Sequence, residues 1–323
     1  MTMTIDPPDR RTVPVSASQR LRNVFAAARV SFTWFGVRKS LNAEQKAQAA
    51  ESFGAEGQFL SAAKKLLDTR DEKFRAVTSV RSQIQSYWRG VSLPYPEPGL
   101  RLIRHQDIDG FQEQLQQFKA ELAGAVERLD GEFAALKAAA KQRLGSLFSA
   151  VDYPDSLIGL FEVQWDYPSV EAPEYLLRLN PQVYEQERQR INRRFEEAVQ
   201  MAEQAFVVEF GRLVEHLVQR LTDGQDGQKK MFRDSAVSNL AEFFGRFRSL
   251  NVHSNAELDR LVDTAQRAIQ GVQPQAIRDS DGLRQHIASQ LSAVQATLDG
   301  LLVDQPRRRI LRQGRGQGRE EGS

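Results

Sequence analysis

Apolar residues recur at steps of three and four along most of the chain, the spacing that puts them on one face of an α-helix. The longest run is Ile108, Phe111, Leu115, Phe118, Leu122, Val126, Leu129, Phe133, Leu136, Ala140, Leu144 and Leu147. It contains no proline and predicts one helix over residues 107–149, roughly 64 Å long at about 1.5 Å per residue. A second run, Tyr184, Ile191, Phe195, Val199, Ala202, Phe206, Phe210, Leu213, Leu217 and Leu221, predicts a helix over residues 181–222 of about 63 Å. It opens on Asn180-Pro181, a cap residue followed by a proline in the first turn. Both stripes are narrow and flanked by polar positions, as in a coiled-coil seam. Matched lengths joined by a compact insert at 150–180 predict an elongated antiparallel hairpin with the insert as a head at one tip.

Shorter patterns surround these two. Phe59, Ala63, Leu66, Phe74, Val77, Ile84 and Tyr87 or Trp88 keep the same period and predict a third helix of the coil, with Arg70 as a polar layer or hinge. Upstream, residues 20–39 mix a short helical stretch with an apolar cluster, Phe32, Trp34, Phe35 and Val37. Ser40 is the expected N-cap of the next helix, with Glu44 in its first turn. Gly54 and Gly57 interrupt that helix, each weakening it by about 1 kcal/mol. The run LPYPEPG at 93–99 stops any helix, and Val91/Leu93 and Leu100/Leu102 on its flanks alternate like short strands. In the insert, Phe161, Val163, Trp165 and Tyr167 alternate with Glu162, Gln164 and Asp166, a strand with one aromatic face and one acid-amide face.

After a loop at 223–230, helices are expected over 234–249, 256–270 and 281–303, with Asn255 and Ser280 or Asp281 as caps. The chain therefore reads as mainly α. A disordered arm at 1–18 precedes a long-helix domain at 19–222; a small helical bundle at 231–303 and a basic tail at 304–323 follow.

Composition narrows the function classes. The chain has 323 residues, a net charge of +2 and no cysteine. Thiolate metal sites, disulfides and cysteine nucleophiles are excluded, and a cytoplasmic setting is expected. No run reaches the roughly 18 apolar residues of a membrane span, and the start is neither signal peptide nor anchor. The four histidines, His105, His216, His253 and His286, lack metal-ligand spacing. The insert sets Asp152, Asp155, Glu162, Asp166, Glu171 and Glu174 among Tyr153, Trp165, Tyr167 and Tyr175, the ingredients of a carbohydrate cleft or of a small packed sheet. Glu162 and Asp166 fall roughly 13 Å apart along one strand, too far for a paired-acid mechanism on that strand. No catalytic, metal or cofactor-binding residues are expected, and no cofactor.

Two basic segments are candidates for phosphate backbones. Arg307, Arg308, Arg309, Arg312, Arg315 and Arg319 form a candidate nucleic-acid-binding tail. Arg188, Arg190, Arg193 and Arg194 cluster on the second long helix, where Glu185, Glu187, Glu196 and Glu197 are available to pair with them.

The run SYWRGVSLPYPEPGLRLI at 86–103, a long helix, FEVQWDYP at 161–168 and a second long helix together resemble an uncharacterised family of bacterial proteins. More broadly they resemble a bacterial and phage domain of unknown function, often encoded beside MoxR-type AAA+ ATPases and von Willebrand A-domain proteins. The resemblance covers about residues 80–221 and carries no catalytic residues. It implies an adaptor or substrate role around such an ATPase. The expected function is a non-enzymatic structural or protein-interaction protein, an adaptor or scaffold able to form homo-oligomers through its coiled-coil surfaces. The alternative is a nucleic-acid-associated protein using the arginine-rich tail.

Overall fold

The computed structural model describes residues 16–222 and 234–303. The tail, the loop at 223–230 and the arm up to residue 15 lie outside the described residues. In chain order the elements are α1 (Ala17–Val24), β1 (Phe25–Trp34), β2 (Arg38–Ser40), α2 (Ala43–Glu51), β3 (Ala63–Lys65), α3 (Glu72–Gly90), β4 (Leu93–Pro94) and β5 (Leu100–Arg104). Then come α4 (Ile108–Gly131), α5 (Phe133–Leu144), β6 (Phe161–Asp166), α6 (Glu174–Leu179), α7 (Pro181–Leu221), α8 (Ser235–Leu250), α9 (Ala256–Ile269), α10 (Pro274–Asp279) and α11 (Asp281–Val303). The protein is mainly helical with a small antiparallel sheet. It divides into two compact units, one up to Ala202 and one from Glu203, so α7 contributes to both.

The first unit is built on a four-stranded sheet of order β4-β5-β1-β6, every pair antiparallel. The register sets Val30 against Trp165, Phe32 against Val163 and Trp34 against Phe161. Side chains alternate across a strand, so these six share one face with Ala28. That face packs on Val77, Val80 and Ile84 of α3 and on Phe111, Leu115 and Leu122 of α4 in one core. Burying each large apolar side chain stabilises the unit by roughly 1.5–3 kcal/mol. On the opposite face Ser31 pairs with Gln164 and Thr33 with Glu162, which is the acid-amide face expected from the alternation.

Several expectations are corrected here. The run at 107–149 is not one helix. It turns at Glu132, whose N–H bonds the Leu129 carbonyl at 3.1 Å, and it stops where Gly145 takes a φ of +52°. Helix α4 lies along α3 and β6, where its stripe packs into one core with the aromatic sheet face. The long helical pair in the first unit is α3–α4, and the single helix expected over 107–149, one arm of the expected hairpin, is not formed. The FEVQWD strand is not a separate head. It is β6, a sheet strand beside β1, and the cluster Phe32–Trp34 belongs to β1.

The helix expected from Phe59 begins only at Glu72, where the Asp71 carboxylate accepts from the N–H groups of Lys73 and Phe74 at 2.9 and 3.0 Å. Arg70 sits in the loop before that cap, so it marks a connection and not a polar layer. Ser40 ends β2 and caps nothing. Asn42 caps α2, in a reciprocal box with Gln45 at 2.8 and 3.1 Å. Part of the expected disordered arm is ordered, since Ser16 caps α1 through the Gln19 N–H.

In the second unit, Phe206 and Phe210 of α7 meet Phe243, Phe244 and Phe247 of α8; the rings of Phe210 and Phe243 stack at 5.1 Å. Leu258 and Val262 of α9 and Ile287 and Leu291 of α11 are buried. The expected caps are in place: Asn255 accepts from Leu258 at 3.0 Å, and the Ser280 hydroxyl from Leu283 at 3.2 Å. Among the described residues no helix is long and apolar enough to cross a membrane.

Candidate functional site

Most polar groups that invite a chemical reading are engaged in holding the fold. Of the insert carboxylates, Asp166 receives two bonds from Arg29 at 2.9 and 2.8 Å, which hold its pKa below the usual carboxylate range. Asp152 lies 2.6 Å from the Nζ of both Lys39 and Lys64. Glu171 is clamped by Arg22. These three acids therefore each meet a separate set of cationic partners. His253 contacts Asp259 at 3.0 Å and His286 contacts Gln290 at 3.0 Å. Among the described residues no group of three or more His, Asp or Glu side chains could hold a metal ion.

Three of the four candidate arginines of α7 behave likewise. Arg188 pairs with Glu185 at 3.0 Å, Arg190 with Glu187, and Arg194 with Glu97 at 2.9 Å. The candidate tail residues Arg307, Arg308, Arg309, Arg312, Arg315 and Arg319 lie outside the described residues.

The SLPYPEPGLRL turn is structural. Gly99 takes a φ of +83°, which a side chain would strain. Arg101 donates from Nε to the Ser92 hydroxyl at 2.8 Å and from Nη2 to the Ser92 carbonyl at 2.7 Å, closing the end of α3 onto β5. Tyr95 meets the ring of Phe195 on α7 at 5.6 Å. With Glu97–Arg194, this turn fastens the start of α7 to the sheet.

What remains open is α6. Pro173 precedes it, Glu174 occupies its first turn, and Asn180 ends it. The Asn180 side chain then accepts from the Val183 N–H at 3.2 Å and so starts α7. Arg22 holds both flanks: its Nε donates to Glu171 at 2.9 Å and its Nη1 to Asn192 at 3.2 Å. Hydrogen bonding to Glu171 raises the Arg22 pKa further above its ordinary value. Buried Ala172 anchors the approach.

Between these fixings, Tyr175, Leu177, Leu179 and Val183 are 58, 51, 77 and 40% exposed. Tyr175 and Leu179 are four apart and share a helix face, while Leu177 lies away from it. Single exposed apolar residues are ordinary, but these four fall within nine positions. The sequence pattern missed it because α6 is too short for a periodic stripe. The available signal was Tyr-Leu-Leu-Arg-Leu between two prolines. Comparison of the chain with protein-family models, curated proteins and solved structures finds no match.

Proposed function

We propose that the protein is a non-enzymatic interaction module, an adaptor or scaffold that docks another protein on α6 and the first turn of α7. The carrying observation is the exposed group Tyr175, Leu177, Leu179 and Val183 on a segment between Glu171 and Asn192, both of which bond Arg22. Leaving these side chains in water forgoes about 1 kcal/mol or more apiece, which a partner surface would recover. A rigid, pre-positioned ridge also loses little conformational freedom on binding.

The resemblance of residues 86–103 and 161–168 to proteins encoded beside MoxR-type AAA+ ATPases supports such an ATPase as the partner, in the cytoplasm. The test is co-purification of the full chain with its host's MoxR-type ATPase, comparing wild type with Tyr175→Ser/Leu179→Ser. The expected result is recovery of the ATPase with wild type only, at equal melting temperature. Equal recovery with both would overturn the docking surface. Self-association that survives the double substitution would point instead to homotypic coiled-coil pairing.

A further inference from the structure

A second surface, cationic where α6 is apolar, lies on the β2–β3 ribbon and the end of α5. The ribbon pairs Arg38 with Lys65 and Lys39 with Lys64, four cations on two short strands. Directly paired residues share a face. On one face Asp152 bridges the pair, reaching both Lys39 and Lys64 at 2.6 Å. On the other, Arg38 and Lys65 oppose each other, both exposed, and neither forms an ion pair among the described residues. Like charges placed directly opposite destabilise a ribbon. The arrangement is costly to the fold and complementary to an anion.

Lys65 also lines a cleft of about 410 Å³ between the β3–α3 connection and the end of α5. Its other charged walls are Asp68, Arg70 and Arg143. The Asp68 carboxylate is shared: Arg70 donates to it from Nε at 3.2 Å and Arg143 from Nη1 at 3.3 Å. One acid thus orients two guanidinium groups, and three cations against one carboxylate leave a net charge of +2. Leu67 and Ala140 supply apolar wall, and no aromatic side chain lines the cleft.

We propose that this cleft binds a small ligand carrying two or more phosphate groups. The volume falls within the range of small-molecule sites, roughly 300–1,000 Å³. Guanidinium forks beside an ammonium group match phosphoryl oxygens in charge and geometry. The absence of an aromatic wall removes base stacking, so recognition runs through the phosphates and not through a nucleobase. The charged residues of the cleft are scattered between positions 65 and 143, which is why no basic run announced them.

The test is calorimetric titration of the full chain with pyrophosphate, ATP, citrate and a mixed-sequence duplex oligonucleotide near physiological salt. Pyrophosphate is expected to bind. Lys65→Gln and Arg143→Gln should each weaken it about tenfold or more. Lys65→Gln should also leave the melting temperature unchanged or higher, because it removes an opposed cation. ATP bound as well as pyrophosphate, or better, supports the assignment. No binding of either, unchanged affinity in Lys65→Gln, or tighter binding of citrate overturns it. So does an oligonucleotide that binds more tightly than both and is lost in the same variants. The arginine-rich C-terminal segment is common to every variant, so binding there appears as affinity that Lys65→Gln leaves intact. Failure of this site leaves the α6 surface untouched, since the two share no residue.

Discussion

Arg284 of α11 donates from Nε to the carbonyl of Leu221, the last residue of α7, at 2.7 Å. Its Nη2 reaches the Arg220 carbonyl at 2.8 Å, and the side chain is buried. The last carbonyls of a helix have no partner within it, and a cation there also meets the negative end of the helix dipole. One arginine thus closes the end of α7 and fixes α11 against it. Arg284→Met keeps the length and removes the donors, so it should cost the second unit about 2–3 kcal/mol. Trp34, Trp88 and Trp165 all lie in the first unit. The variant should therefore lower the urea midpoint seen by circular dichroism more than that seen by tryptophan fluorescence. Equal midpoint shifts by the two probes would contradict it.

Asp152 should make the first unit acid-sensitive. Hydrogen bonds from Lys39 and then Lys64 lower its pKa from the ordinary carboxylate value. A depressed folded pKa contributes stability that is complete above the unfolded value, near roughly pH 4, and is lost as pH falls through the folded value. Asp152→Asn removes the countercharge of the buried Lys64 ammonium, which then meets only neutral acceptors such as the Leu147 carbonyl at 2.6 Å. The substitution should cost about 2–3 kcal/mol at neutral pH. It should also flatten the loss of stability below pH 4, measured by urea melts across that range.

Gly57 tests why residues 54–57 end a helix. A Cβ at Gly57 would sit 2.8 Å from the Cα and N of Ala47, so the single helical turn Gly57–Phe59 lies directly against α2. Gly57→Ala must push the turn away and should cost about 1–3 kcal/mol. Gly54 has open space around its Cβ position, but its φ is +64°. Gly54→Ala therefore strains backbone alone and should cost about 1 kcal/mol. Thermal melts that rank the two in the opposite order would refute the close approach.

The pattern of the chain made some of this legible and concealed the rest. Asn180, Asn255 and Ser280 were readable as caps because a cap is decided by neighbours in sequence. The acid-amide and aromatic faces of β6 were readable from period two alone. The partner of β6 was not, because Val30–Trp165 and Phe32–Val163 join positions more than 130 residues apart. Once β1 and β6 pair, they present an apolar sheet that takes the stripe of α4, and the seam that resembled a coiled coil becomes a core face. The break at Glu132 was hidden because Phe133 continues the spacing of Leu129 across the turn. Both proposed surfaces were illegible for a related reason: α6 is shorter than a period can show, and the cationic cleft gathers residues from separate elements.

The most direct measurement is photo-crosslinking in the host cell, with a crosslinking amino acid at position 179 and, as control, at Val151, which is 91% exposed and outside α6. If α6 is the docking surface, position 179 forms a covalent adduct with a second polypeptide, an ATPase of the MoxR type, and position 151 forms none. No adduct at 179, or the same adducts at both positions, would contradict it.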